Sequence, residues 1–148
     1  MLIIDSLPPQ GILLDKGWKW HAGDNPDYAK ADFDDSSWES IDPSQDVMDL
    51  KQISKEGKIA WLRLHFTIPK TDEKQLLMIV KHIVASEIYL NGKLVKKLGE
   101  VSPEYEKEEK YSPIREPVVI ELDTMETQVL AIRYSNTTGW KLNQYVGR

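Results

Sequence analysis

The chain has 148 residues, a formal net charge of −5 and no cysteine, which suits one domain with its own core and excludes disulfides and thiolate sites. Nucleic acids and anionic membrane surfaces bind clusters of lysine and arginine, so the acidic balance argues against both as partners. No apolar run approaches the roughly 20 residues that cross a bilayer, and residues 1–14 lack the basic start of a signal peptide.

A period-two alternation of apolar and polar residues is the dominant pattern along the chain, and it predicts β-strands. Within residues 61–68 it places Leu62, Leu64 and Phe66 on one face, which predicts a strand with one buried face. Residues 76–82 are almost continuously apolar, which predicts a strand in the middle of a sandwich. The strands predicted in chain order are 18–21, 61–68, 76–82, 87–90, 93–95, 118–122 and 129–134.

The connections between these strands are predicted from turn-forming residues. Asn91-Gly92 predicts a tight hairpin, because such a turn needs positive φ at both central positions. Residues 32–38 predict one helical turn and residues 49–56 a second short helix, whereas residues 42–57 and 99–117 are expected to be loops. Many short strands without crossover helices predict an all-β fold, an antiparallel β-sandwich.

Catalytic motifs are absent from the sequence. The three histidines, His21, His65 and His82, lack the spacing of a zinc site. The sequence contains no Gly-x-Ser-x-Gly elbow, phosphate loop or dinucleotide fingerprint, and no carboxylate pair is recognisable as general acid and base. We therefore expect no catalytic residues and no enzyme activity in this chain.

Five tryptophans in 148 residues favour either an aromatic platform for a sugar or bulky rings that close the ends of the sandwich. Two places combine a tryptophan with polar neighbours that could bind sugar hydroxyls. The candidate ligand-binding residues are Trp20, His21, Asp24, Asn136 and Trp140. For each ring taken singly, a structural role in closing an end of the sandwich is the favoured interpretation.

Charged residues elsewhere favour structural roles over sites. Asp32, Asp34 and Asp35 offer the oxygen ligands that calcium prefers, but the EF-hand pattern is absent and capping of a turn is the favoured interpretation. We therefore expect no cofactor, with calcium at these aspartates as a weak alternative. The side chains expected to form a cross-strand polar ladder are Arg63, His65 and Arg133, with Glu87 or Glu121 as partner.

A series of motifs in the chain resembles the galactose-binding-like jelly roll. The motifs are WKW at 18–20, DFDDSSW at 32–38, AWLRLHFTIP at 60–69, ASEIYLNGK at 85–93 and LAIRYSN at 130–136. Their order is similar to that of the amino-terminal sugar-binding domain of family 2 glycoside hydrolases. It also resembles the extracytoplasmic sensor domain of bacterial membrane signalling proteins of the histidine kinase type. The resemblance implies one jelly-roll domain over residues 1–148, as a part of a larger protein.

Residues 98–102, 111–113 and 131–136 favour the signalling proteins. That resemblance implies a non-catalytic ligand-binding or sensor domain of a bacterial membrane signal-transduction protein. Its parent protein would be a histidine kinase or another signalling enzyme, with a membrane-spanning region and a signal outside this sequence. The domain would lie on the periplasmic or extracellular side of the membrane and bind a small molecule or carbohydrate, with a homodimer as a further expectation. The alternatives are an accessory carbohydrate-binding domain of a family 2 glycoside hydrolase and a structural protein-interaction module.

Overall fold

A computed structural model describes residues 1–43, 59–68, 75–80, 84–112, 116–123 and 126–136. Their strands are β1 (Leu2–Ile3), β2 (Trp18–Ala22), β3 (Glu39–Ile41), β4 (Ile59–Thr67), β5 (Gln75–Met78), β6 (Ala85–Leu90), β7 (Lys93–Leu98), β8 (Val118–Glu121) and β9 (Thr127–Ser135). A 3₁₀ helix covers Pro26–Ala29, and no α-helix occurs within these ranges. The all-β prediction is confirmed, and the short helix predicted at 49–56 lies outside the described residues.

The strands form two sheets. The large sheet has the order β3-β2-β4-β9-β6-β7, with β1 added to β4, and the small sheet pairs β5 with β8. The β1–β4 pair is parallel and the other pairings between these strands are antiparallel. The main core joins Leu64, Ile88 and Leu130 of the large sheet to Val118 and Ile120 of the small one. This arrangement confirms the predicted antiparallel β-sandwich of the jelly-roll type.

Strand β4 is buried on both faces, which differs from the predicted single buried face. Leu64 and Phe66 lie in the core between the sheets, while Trp61 and Arg63 on the opposite face are equally buried. The alternation predicts which residues share a face correctly. It does not reveal that another segment of the chain crosses the second face.

The two local predictions that follow β4 have different outcomes. The hairpin between β6 and β7 is confirmed, since Asn91 and Gly92 have φ values of 49° and 86° and the strands on either side pair directly. The predicted strand 76–82 is only Gln75–Met78 within the described residues and lies in the small sheet. Its residues alternate between half-buried and exposed, so it is not the fully buried strand that its apolar run predicts.

Candidate functional site

Residues 23–38, between β2 and β3, cross the outer face of the large sheet, which is the face turned away from the small sheet. We call residues 23–38 the strap. Its first turn begins at Asn25, whose side chain accepts a hydrogen bond from the backbone N–H of Asp27 at 3.0 Å, with Pro26 at the first helical position. A second local turn forms where Asp34 accepts from the backbone N–H of Ser36 at 3.0 Å. These short turns keep the strap close to the sheet.

Arg63 fixes the strap to β4 and is completely buried. Its Nε donates to Oδ2 of Asp35 at 2.7 Å. Its Nη1 donates to the carbonyl oxygens of Tyr28 (2.6 Å) and Lys30 (2.8 Å), and its Nη2 donates to that of Phe33 (3.3 Å). One guanidinium therefore serves three backbone carbonyls of the strap and one carboxylate, which is one acceptor more than the three donors of a lysine could satisfy.

Asp35 is shared between Arg63 and His65, whose Nε2 lies 2.7 Å from the same Oδ2 atom. We call these three residues the inner clamp. Burial of Asp35 opposes ionisation, but the hydrogen bonds from Arg63 and His65 outweigh it and hold the pKa of Asp35 below its ordinary value. The inner clamp is thus a charged, hydrogen-bonded connection between the strap and the centre of the sheet.

Aromatic rings fill the space between the strap and the sheet. Tyr28 lies edge-on to Trp38 and Trp61, with ring centroids 5.0 and 5.9 Å apart. Phe33 packs against Tyr28 at 5.0 Å, and the Arg63 guanidinium lies 5.5 Å from the centre of the Phe33 ring. The DFDDSSW motif therefore supplies both the acidic partner of the buried arginine and the rings that cover it.

A row of directly paired residues crosses the same outer face toward the other edge of the sheet. From β2 through β4, β9 and β6 to β7, the row is His21, Trp61, Arg133, Glu87 and Lys97. Arg133 Nη1 donates to Glu87 at 3.1 Å, so the predicted ladder pair between these two residues is confirmed. The ladder prediction is wrong for Arg63 and His65, which bind Asp35 of the strap and not Glu87 or Glu121.

Asp24, at the start of the strap, binds two residues of this row. Arg133 donates to both of its oxygens, from Nε at 2.9 Å and from Nη2 at 2.8 Å, and Trp61 Nε1 donates at 3.1 Å. We call Asp24, Arg133 and Glu87 the outer clamp. The hydrogen bond from Arg133 lowers the pKa of Asp24 despite partial burial. Asp24 is therefore held as a carboxylate and is a poor proton donor.

Tyr89 completes the outer clamp on the side of β6. Its hydroxyl donates to Glu87 at 2.6 Å, and its ring stacks on Trp61 with centroids 5.6 Å apart. Burial and the neighbouring Glu87 raise the pKa of Tyr89 to about 12. The side chains of Asp24 and Arg133 are 38% and 20% exposed, so the Asp24 carboxylate is open to solvent close to the half-buried Tyr89. Such groups can accept hydrogen bonds from hydroxyls.

The first group of sequence-predicted site residues is divided between the two faces of the large sheet. Trp20 is buried on the inner side, where its Nε1 donates to the hydroxyl of Tyr134 at 2.7 Å. His21 is exposed on the outer face, with its ring 5.6 Å from Tyr28 and 5.2 Å from Trp38. His21 and Asp24 thus lie on the outer face, while Trp20 is buried on the inner side and has a structural role.

The second group lies at the end of β9. The side-chain oxygen of Asn136 accepts a hydrogen bond from Nζ of Lys110 at 2.7 Å, and burial lowers the pKa of Lys110. Trp140 lies outside the described residues, so its place beside Asn136 stays a prediction.

The weak calcium alternative receives no support from the geometry of its three aspartates. Asp35 is engaged in the inner clamp, Asp34 caps the turn at Ser36, and Asp32 is exposed. Within the part of the chain that the structure describes, no three histidine, cysteine or acidic side chains are grouped so that they could hold a metal ion.

Sequence reasoning did not identify Glu87, Tyr89 and Arg133 as parts of one site with Asp24. One signal was available in the sequence. The alternation of residues in β4 and in β9 places Trp61 and Arg133 on the outer face of their strands. Finding the site also required the register between β4, β9 and β6, which joins distant parts of the chain.

The sequence matches no protein-family model and no curated protein, but the fold is similar to parts of several solved structures. A β-glucuronidase from Bacteroides uniformis superposes with a TM-score of 0.60 and 21% identity, over 83% of this chain and 14% of that one. A glycosyl hydrolase family 2 member from Bacteroides cellulosilyticus superposes with a TM-score of 0.57 and 19% identity, over 83% of this chain and 17% of that one. The Ruminococcus gnavus β-glucuronidase in complex with uronic isofagomine superposes with a TM-score of 0.54 and 16% identity, over 83% of this chain and 20% of that one.

These neighbours show that the chain has the jelly-roll fold found within glycosidases, of which it spans less than a quarter of the length. They contradict the main functional interpretation of the sequence, a membrane sensor domain, and favour its family 2 alternative. The expectation of a histidine kinase parent is withdrawn with it. Among the described residues, no helix is long and apolar enough to cross a membrane. The expected cellular location and homodimer stay predictions.

Proposed function

We propose that this chain is a non-catalytic, accessory carbohydrate-binding domain of a family 2-type glycosidase. The observation that carries the proposal is the likeness to glycosidases over 82% to 84% of the chain. The same likeness covers only 13% to 21% of each neighbour. A separate catalytic domain is therefore expected in the remainder of the parent protein, in agreement with the family 2 resemblance.

The outer clamp is the part of the described surface best suited to a sugar, and we include it in the proposal. Oδ2 of the partly exposed Asp24 accepts one hydrogen bond, from Arg133, and can accept another from a sugar hydroxyl, while the guanidinium of Arg133 holds the carboxylate in a fixed orientation. His21 is exposed on β2, two strands from Arg133 and on the other side of Trp61. Because Asp24 is held ionised by Arg133, the site favours binding over proton transfer to a glycosidic oxygen.

A glycan titration tests this proposal. The 148-residue chain would be titrated with neutral β-glycosides and with glucuronides, with calorimetry and thermal unfolding as readouts. A ligand at 100 times its dissociation constant should stabilise the chain by about 2.7 kcal/mol. No shift with any member of either panel would contradict a carbohydrate-binding role.

The variant His21→Ala locates the binding. His21 is exposed but its ring also contacts Tyr28 and Trp38, so its removal should leave the chain folded with a loss of stability of about 1 kcal/mol and weaken binding severalfold through lost contact with the sugar. Lys96→Ala, a change at another exposed residue, on β7, is the control and should bind as the parent chain does. Unchanged affinity of His21→Ala, with binding still present, would show that the sugar does not contact His21.

A further inference from the structure

The outer face of the small sheet is apolar and exposed. In the register of β5 and β8, Leu77 pairs directly with Val119. Leu77 is 69% exposed, Ile79 is 67% exposed and Val119 is 47% exposed. Their immediate neighbours along each strand, such as Ile120, point into the core. Both faces of β5 and β8 are therefore apolar, the inner face toward the core and the outer face toward solvent.

The exposed residues are contiguous. Continuing the register by two residues from Leu77 and Val119 brings Ile79 opposite Pro117, which is also exposed. We call Leu77, Ile79, Pro117 and Val119 the apolar patch. At its other end, the exposed pair Gln75 and Glu121 forms a polar border. A bounded apolar area of this kind on a sheet is typical of a contact surface.

The size of the apolar patch indicates what kind of partner it contacts. A stable dimer between free chains buries about 20–30 residues on each side, many more than the patch provides. A domain joined through the same polypeptide is present at an effective concentration of about millimolar, so a smaller contact surface is sufficient. The solved structures that share this fold contain it as a minor part of a longer chain.

We propose that the apolar patch docks against another domain of the same polypeptide, and this rests on the proposed function, in which that domain is catalytic. Contact through the small sheet leaves the outer clamp, on the opposite side of the sandwich, open to solvent. The partner surface is expected to be apolar at its centre and polar where it meets Gln75 and Glu121. The two faces of the domain then have separate tasks, docking and ligand contact.

Hydrogen exchange measured on the 148-residue chain and on the full-length gene product tests the docking. Amides of residues 75–80 and 117–121 should exchange at least about tenfold more slowly in the full-length protein. Leu77→Asp should remove this extra protection in the full-length protein while the isolated variant still unfolds cooperatively. Leu94→Asp, which alters a comparably exposed leucine on β7, is the matched control and should keep the protection.

Two outcomes would overturn the docking proposal. Equal exchange rates in the two proteins would show that no other domain covers the apolar patch. Concentration-dependent self-association of the isolated chain in sedimentation, abolished by Leu77→Asp, would show that a second copy covers it. If the full-length protein holds a glycosidase catalytic domain and either result is found, the docking fails while the proposed function stands. If protection is gained from a domain that is not a glycosidase, the proposed function fails and the docking stands.

Discussion

The outer faces of the two sheets differ in polarity and in whether another segment of the chain covers them. On the large sheet, the strap covers Arg63, which is completely buried and hydrogen-bonded through each of its three side-chain nitrogens. On the small sheet, Leu77 and Val119 are apolar and face solvent. The same period-two pattern underlies both. Burial on the outer face of a strand therefore depends on which segment of the chain crosses it, and the hydropathy of the strand alone does not decide this.

The largest effect in this comparison is expected at Arg63. Replacing it by Met leaves Asp35 without its main cationic partner and three strap carbonyls without donors. Removal of one partner of a buried ion pair costs about 3–5 kcal/mol. Urea unfolding followed by tryptophan fluorescence would measure the loss, with the exposed Lys96→Met as control. A loss below about 1 kcal/mol would mean that the inner clamp does not hold the strap.

Acidification should release the inner clamp. The folded pKa of Asp35 is lowered, so its stabilisation is present above its unfolded pKa of about 3.9 and is lost as the pH falls through the folded value. Asp35→Asn should cost about 2 kcal/mol at neutral pH, since Arg63 loses a charged acceptor. Its stability should then fall less steeply below about pH 4 than that of the parent chain. Asp32→Asn, at an exposed aspartate, is the control. If stability falls equally steeply with pH in the parent chain and in Asp35→Asn, the acid sensitivity does not come from Asp35.

The outer clamp should contribute less than the inner one. Asp24 and Arg133 are partly exposed, so Asp24→Asn is expected to cost about 1 kcal/mol or less, with a smaller loss in high salt. Thermal unfolding of Asp24→Asn and Arg63→Met in low and high salt would compare the two clamps directly. If Asp24→Asn lowers stability as much as Arg63→Met does, exposure to solvent does not make the outer clamp weaker than the inner clamp.

The smallest effect is expected on the small sheet. Val119→Thr keeps a β-branched side chain on the exposed face, so the isolated chain should change stability by no more than about 0.5 kcal/mol. Urea unfolding of the isolated chain provides the measurement. A loss well above this value would show that Val119 is buried against the domain itself, and the contrast between the two outer faces would disappear.

The fold was predictable from the sequence where the signal is local. Asn91-Gly92 determines a turn by its own conformational preference, and the alternation in β4 correctly sorts its residues onto two faces. The path of the strap was not predictable in this way. It depends on the contact between Arg63 and Asp35, and nothing in the local sequence shows that this arginine is covered.

The candidate site was predictable only in part. His21 and Asp24 are close in the sequence and do share the outer face, but Trp20, grouped with them, points the other way because neighbouring residues of a strand alternate. Glu87 and Arg133 join Asp24 only through the pairing of β6 with β9. Long-range register is set by the whole core, so single-residue chemistry could not identify it.

The pairing of β4 with β9 has a consequence for the order in which the chain folds. These nine-residue strands come from opposite halves of the chain, and their central contact forms only after a long loop is closed. Folds dominated by such non-local pairings typically fold in milliseconds to seconds. The β6–β7 hairpin needs no such closure and is expected to form early. The strap should attach last, because Asp24 binds Trp61 and Arg133 together and this site exists only once β4 and β9 are joined.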